Sequence, residues 1–404
     1  MVTQELAQSA VVGTSRTLRR PHGTASVHLD ALRGFAAFSV LLNHWRDALF
    51  VDYSQLSHPN PLLAGAYLMA RLGHQWVIVF FVLSGYLVGG GVLRSIREGH
   101  WSWRGYLFRR LTRLYIVLVP ALILGGAMDW AGMHLPGTDA VYGGNAGMHD
   151  LMTDVHGTLN LPTLAANSVF LQTITLPGNC GHEIPTLGSN RPLWSLSNEF
   201  WYYLAFPMAF LALLGVRSWP ARVGLGLGAL ALGWFVGLPI VLLGIPWLLG
   251  ALILYLPTLP VHNPWMRVAA IAQAMALVGV GLVIGKFRYS LAADVLIGAL
   301  VTLLIWVTLD CAPASLPSWY VWLSQRAARS SYTLYLIHVP ALIFLKASLH
   351  LPRAYPAGRA LLVNLAVLIG IVIYAQLVYL VFERNTDRLR SWIRPYVMDS
   401  AHTA

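Results

Sequence analysis

Ten runs of mainly apolar residues, each about 16 to 25 long, leave this chain few ways to fold; they fall at roughly 29–50, 67–91, 106–128, 193–215, 222–237, 239–256, 266–285, 291–310, 331–350 and 359–383. Each approaches the length that carries an α-helix across a bilayer, about 20 residues. In lipid a segment has to satisfy its own backbone polar groups, so runs of this kind fold as helices. The balance of residue types agrees, with 57% hydrophobic and only 11% charged. The expected fold class is all-α: a polytopic integral membrane protein with about ten transmembrane helices and one long extracytoplasmic loop. The fifth and sixth runs are the least distinct, because Gly237, Pro239 and Pro246 interrupt an almost continuous apolar stretch.

The net charge of +11 is no nucleic-acid footprint. The positive charge is almost all arginine in short segments between apolar runs, where such residues mark the cytoplasmic side. Arg94, Arg97, Arg104, Arg109, Arg110 and Arg113 crowd one of these segments. That bias predicts an inner (cytoplasmic) membrane protein with both termini cytoplasmic. Residues 1–28 form a polar cytoplasmic segment holding Arg16, Arg19 and Arg20, without the apolar core of a cleavable signal. Residues 29–390 form the transmembrane domain, and 391–404 a cytoplasmic tail. The connection 129–192 then lies outside, with Asp129, Asp139, Asp150, Asp154 and Glu183 against Arg191. It reads mostly as loop, with a short helix expected within 161–174, and connections of such length are usually functional. Cys180 and Cys311 fall on opposite sides and cannot pair. No Cys/His cluster suggests a metal.

Within the first run, LDALRGFAAFSVLLNHW, Arg33 and His44 are eleven residues apart. That is about three helical turns, so both side chains share one face some ~16 Å apart, with Ala37 and Val40 between them. A charged residue within a membrane helix faces a cavity or a partner rather than lipid. Asn43 and Asp30 add to the same polar stripe. In FFVLSGYLVG, Ser84 and Gly85 permit close helix approach, and Ser84 is also a candidate channel-lining group. Arg110 and Arg113 share a helix face at the arginine-rich mouth, where guanidinium forks match phosphate oxygens. In LWSLSNEFWYYLAFP, Glu199 is an ionisable group inside a membrane helix. In SSYTLYLIHVPA, Tyr335 and His338 lie one turn apart, beside Pro340, which loosens a helix locally.

Six stretches in order resemble acyltransferase family 3, the bacterial integral-membrane O-acyltransferases that include polysaccharide and nodulation-factor O-acetylases. They are LDALRGFAAFSVLLNH, FFVLSGYL, YLFRRLTRLY, LWSLSNEFWYYLAFP, SSYTLYLIHVP and VFERNTDRLR, spanning residues 29 to 390. The resemblance implies a ten-helix core and an acyl-CoA donor entering from the cytoplasm. It makes Arg33 and His44 the essential first-helix pair, Arg110 and Arg113 the cytoplasmic Arg-x-x-Arg, and Glu199 the acid of the tryptophan-serine-leucine motif. Where the family often has a second acidic residue, this chain has Phe200.

The expected activity is acyl transfer, with acetyl the expected group, from acyl-CoA to a hydroxyl on a cell-envelope carbohydrate, a lipid-linked acceptor or a secreted small molecule. His44, Arg33 and Glu199 are the expected catalytic residues, with His44 as general base or as a transiently acylated nucleophile and Glu199 orienting the acceptor or the histidine. Arg33, Arg110, Arg113 and Ser84 are expected to hold acyl-CoA, and Asn43, Tyr335 and His338 to line the acceptor site, with no metal cofactor. Membrane lipids are expected neighbours; nucleic acid is not a partner. A proton-coupled secondary transporter using His44, Glu199 and His338 is the rival reading, although no internal repeat is visible. A non-catalytic membrane sensor or scaffold is a third.

Overall fold

A computed structural model describes residues 23–57, 59–151, 154–175, 181–215 and 218–398. Arg16, Arg19, Arg20, Cys180, Arg217 and the end of the expected tail lie outside the described residues. Among the described residues all named elements are helical. Ten long helices dominate: α1 (Thr24–Leu49), α2 (Gly73–Arg97), α3 (Trp103–Met133), α4 (Leu193–Phe210), α5 (Trp219–Val236), α6 (Leu238–Leu252), α7 (Pro264–Phe287), α8 (Leu291–Cys311), α9 (Ser318–Ser348) and α10 (Gly358–Val381). A shorter helix, α11 (Thr386–Met398), follows α10 through a 3₁₀ turn at Glu383–Asn385.

Eight helical stretches are long and apolar enough to cross a membrane. Of the ten long helices, α4 and α9 fall outside that set. Both reach the necessary length, so their polar residues exclude them, and these are the helices that carry Glu199 and His338.

Several boundaries differ from the sequence reading. α9 starts at Ser318 rather than 331, because its first turns, SWYVWLSQRAAR, are helical but too polar to register as an apolar run. α2 starts at Gly73; residues 67–69 belong to a separate helix, Pro61–Met69, whose Asn60 cap accepts from the Leu63 amide. α3 continues past 128 to Met133. The helix expected within 161–174 covers only Leu161–Ser168. It starts at an Asn160 cap and stops before Phe170, whose φ of 61° lies in the left-handed region.

The core forms where α1, α2 and α9 meet, with α3, α6 and α8 packed around them. α9 lies along α1, and Gly34 makes that approach possible: a Cβ there would sit 2.5 Å from Ala327 Cβ. α2 and α6 approach even more closely. A Cβ on Gly85 would lie 1.8 Å from the Trp247 carbonyl oxygen, and one on Gly250 2.0 Å from that of Val82. Small residues at a membrane helix crossing allow this backbone proximity. Directly after Ser84, α2 passes through a π-helical turn at Gly85–Gly89, a local unwinding often found at functional sites.

Candidate active site

α1 is continuous between Arg33 and His44, so the two keep the separation that helical geometry dictates. His44 Nδ1 lies 2.8 Å from Nε2 of His338 on α9. His338 is fully buried, and its Nδ1 is 2.9 Å from the Leu334 carbonyl oxygen. A carbonyl only accepts, so His338 Nδ1 carries a proton. With both rings neutral, His338 Nε2 then accepts from His44 Nδ1–H. The lone pair of His44 is thereby placed on Nε2. His338, expected to line the acceptor site, instead stands behind His44 and sets its tautomer.

His44 borders a chamber of about 800 Å³, the histidine chamber. Asn43 lies in its wall and donates from Nδ2 to Asp150 Oδ2 at 3.0 Å. Asp47, one turn beyond His44, is completely buried. Its carboxylate accepts from the backbone amides of His149 and Asp150 at 3.3 and 2.8 Å. It therefore pins the long connection over the chamber. Farther out, Asp52 pairs with Arg353 at 2.9 Å and His149 at 3.1 Å. Burial alone would raise the Asp52 pKa, but hydrogen bonds from Arg353 and His149 outweigh it and hold the carboxyl below its usual value. Also lining the chamber, His74 Nε2 meets Asp294 Oδ1 at 3.0 Å, and the His74 ring stacks on Trp194.

Toward the other end of α1 lies a smaller chamber of about 200 Å³, the arginine chamber. Arg33, Arg110 and Arg113 all reach it. Arg33 donates to the Ala328 carbonyl at 2.9 Å and lies 3.7 Å from Asp30. Arg110 rests between the rings of Tyr106 and Tyr203, 5.9 and 6.0 Å from their centroids. Arg113 is held differently, in a 2.6 Å ion pair with Glu383. Glu383 is buried and also accepts from the Thr333 amide and hydroxyl at 3.1 and 2.5 Å. The Nε atoms of Arg33 and Arg110 are buried without a partner among the described residues. Arg110, unlike Arg33 and Arg113, enters no ion pair among the described residues.

Glu199 belongs to the arginine chamber. Its Oε1 accepts from Ser84 Oγ and Tyr203 Oη, each at 2.5 Å, while Trp247 Nε1 donates to Ser84 Oγ at 3.1 Å. Glu199 is expected to orient the acceptor or the histidine; its hydrogen bonds go to Ser84 on α2 and Tyr203 on α4 rather than to His44. Ser84 lines the arginine chamber, and Gly85 beside it makes the helix crossing.

Val77 and Tyr335 line both chambers. They form the septum between them, with Tyr335 Oη 2.6 Å from Ser195 Oγ. The route from Arg33 to His44 therefore runs past α2 and α9 side chains, not only along Ala37 and Val40. Sequence reasoning missed Asp47, Asp150, Glu383 and the His74–Asp294 pair. Asp47 was detectable, since it follows His44 by three positions on one helix. Glu383 lies in the matched VFERN stretch, but its partner Arg113 is distant in the chain, and the rest come from separate elements. Among the described residues no group of three or more His, Cys, Asp or Glu could hold a metal ion.

A family model described as an acyltransferase domain matches residues 27–379, nearly the whole chain. Compared with the curated proteins and with the solved structures, the chain finds no match in either.

Proposed function

The chain belongs to acyltransferase family 3, and on that premise we propose that it moves an acyl group, acetyl first, from cytoplasmic acyl-CoA to a hydroxyl of a cell-envelope, lipid-linked or secreted acceptor. In this reading all ten long helices cross the inner membrane, with both termini and the arginine chamber on the cytoplasmic side. The observation that carries the proposal is the end-to-end placement of two chambers that share only Val77 and Tyr335. One offers guanidinium donors suited to phosphate, and the other an oriented imidazole.

The CoA phosphates bind at Arg33 and Arg110, and Arg113 adds positive charge from its pair with Glu383. The pantetheine arm extends past Tyr335, and the thioester carbonyl reaches His44. The acceptor occupies the histidine chamber. Its hydroxyl oxygen adds to the thioester carbon as His44 Nε2 takes the hydroxyl proton, with Nδ1–H held by His338. The resulting oxyanion forms in the chamber that Arg191 borders together with His44. Collapse breaks the carbon–sulfur bond, and the CoA thiolate takes the proton from the imidazolium. The ester and CoA–SH leave on opposite sides of the septum.

The test uses purified protein in proteoliposomes with acetyl-CoA, envelope extract as acceptor and a thiol reagent. The proposal expects CoA–SH release that needs both substrates and matches the acyl groups gained by the extract. Release without acyl gain, or no release, contradicts it. The transporter alternative predicts substrate movement without ester formation, which the same assay reads.

A further inference from the structure

The histidine chamber holds more than a hydroxyl needs. Its volume of about 800 Å³ is near the upper range of small-molecule sites, so it has room for a whole sugar unit around the reacting group. Three cations border it from three elements: Arg71 before α2, Arg191 before α4 and Lys286 near the end of α7. Asp150 and Glu183 border it as well, and Asp150, whose Oδ2 accepts from Asn43, acts electrostatically on Lys286; the three cations still outnumber the two carboxylates on this lining. Arg71 and Lys286 enter no ion pair or side-chain hydrogen bond among the described residues. A Cβ on Gly73 would lie 2.7 Å from Asn43 Cγ, so this backbone abuts the residue preceding His44. Arg71, two residues earlier, borders the same chamber as His44. On the same wall, His74, Trp194 and Tyr289 form a ring surface, with Trp194 parallel to His74 within 14° and Tyr289 4.8 Å from it.

We propose that the acceptor is a sugar unit carrying an oxyanion, phosphate or carboxylate, near the hydroxyl that is acylated. Arg71 and Lys286 bind the oxyanion, and the ring wall packs against the apolar face of the sugar. This deepens the acyltransferase reading and rests on it. Arg71 is exposed and Lys286 half-buried at the border of the chamber, and two cations facing one cavity favour an anion between them. A bare hydroxyl acceptor would leave both without a partner.

The experiment compares cell-envelope glycans from cells expressing the wild type and His44→Ala, by mass spectrometry of isolated sugar units. The inference expects the wild-type acyl group on units that also carry phosphate or a uronic acid, and the fragment masses separate these two sources. An Arg71→Gln/Lys286→Gln double variant, confirmed as folded by its melting temperature with acetyl-CoA, should lower that acylated fraction tenfold or more. Acylation confined to neutral units would overturn the inference and leave the acyltransferase reading standing. Absence of any acyl difference between wild type and His44→Ala would overturn both. A folded double variant with wild-type acylation would show that the two cations do not bind the acceptor, and that also overturns the inference.

Discussion

His44 on α1 and His338 on α9 are hydrogen-bonded at 2.8 Å although 294 positions separate them in the chain. The Leu334 carbonyl fixes the proton on His338, which fixes the proton on His44. A general base needs its lone pair on the side of the substrate, and in the proposed reading this relay leaves His44 Nε2 free for that role. His338→Leu removes the acceptor and frees the His44 ring. Turnover should fall roughly 10–100-fold, the usual scale for losing an orienting partner, with the KM for acyl-CoA unchanged. His338→Gln keeps an acceptor oxygen and should recover part of the loss. Steady-state kinetics on the three proteins checks this; equal kcat for all of them would show that the pair is only packing.

The two arginines of the Arg-x-x-Arg should behave differently. Arg113→Ala leaves the buried Glu383 carboxylate unpaired. Breaking such a pair costs roughly 3–5 kcal/mol, toward the lower end here because the Arg113 side chain is 37% exposed. Adding Glu383→Gln should restore much of that stability. Arg110→Ala loses only its cation–π contacts, about 0.5–1 kcal/mol, so its melting temperature should barely change. Its main defect should be a raised KM for acetyl-CoA, larger than for acetyl-pantetheine, which lacks the nucleotide. Melting curves and donor titrations separate these outcomes.

Tyr335 should govern coupling between the chambers. Tyr335→Phe keeps the ring and loses only the bond to Ser195, so acyl transfer should be mildly affected. Tyr335→Ala joins the two cavities. Acyl-CoA hydrolysis without acceptor should then rise relative to transfer, as measured by the ratio of CoA–SH released to acceptor acylated. An unchanged ratio would mean that the septum does not separate water from the thioester.

Gly85 should tolerate no side chain. Gly85→Ala pushes a methyl group into the Trp247 carbonyl and should cost about 1–3 kcal/mol, the scale of overpacking. Gly91 provides the control on the same helix, because an added Cβ there meets nothing within 4 Å. Gly91→Ala should be neutral or stabilising by roughly 0.5–1 kcal/mol. Melting temperatures in one detergent test the contrast.

The sequence exposed what depends on local pattern. Apolar length marked most of the long helices, and the helical period placed Arg33 and His44 on one face. Polar residues inside apolar runs singled out Glu199, Tyr335 and His338. What escaped depends on tertiary pairing. Hydropathy marks Glu199 as an ionisable group in a membrane helix but leaves open whether it orients the acceptor or the histidine; its partners Ser84, on α2, and Tyr203, one turn along α4, emerge only in three dimensions. Glu383 lay within the matched VFERN stretch without a role, because its partner Arg113 is distant in the chain. The early start of α9 was hidden because polar turns at the end of a membrane helix look like a loop to hydropathy alone.

The most direct test of the central claim is the turnover of His44→Ala set against its binding of acetyl-CoA. In the proposed reading the donor phosphates bind at the arginine end, far from His44, so thermal-shift titration should give wild-type affinity for acetyl-CoA. Proton removal is needed only in the transition state, so the loss should appear in kcat, at about 10²–10⁴-fold. Intact donor binding with turnover reduced to that extent is the predicted result. Near-normal turnover in a folded His44→Ala protein would contradict the account and make the histidine pair structural.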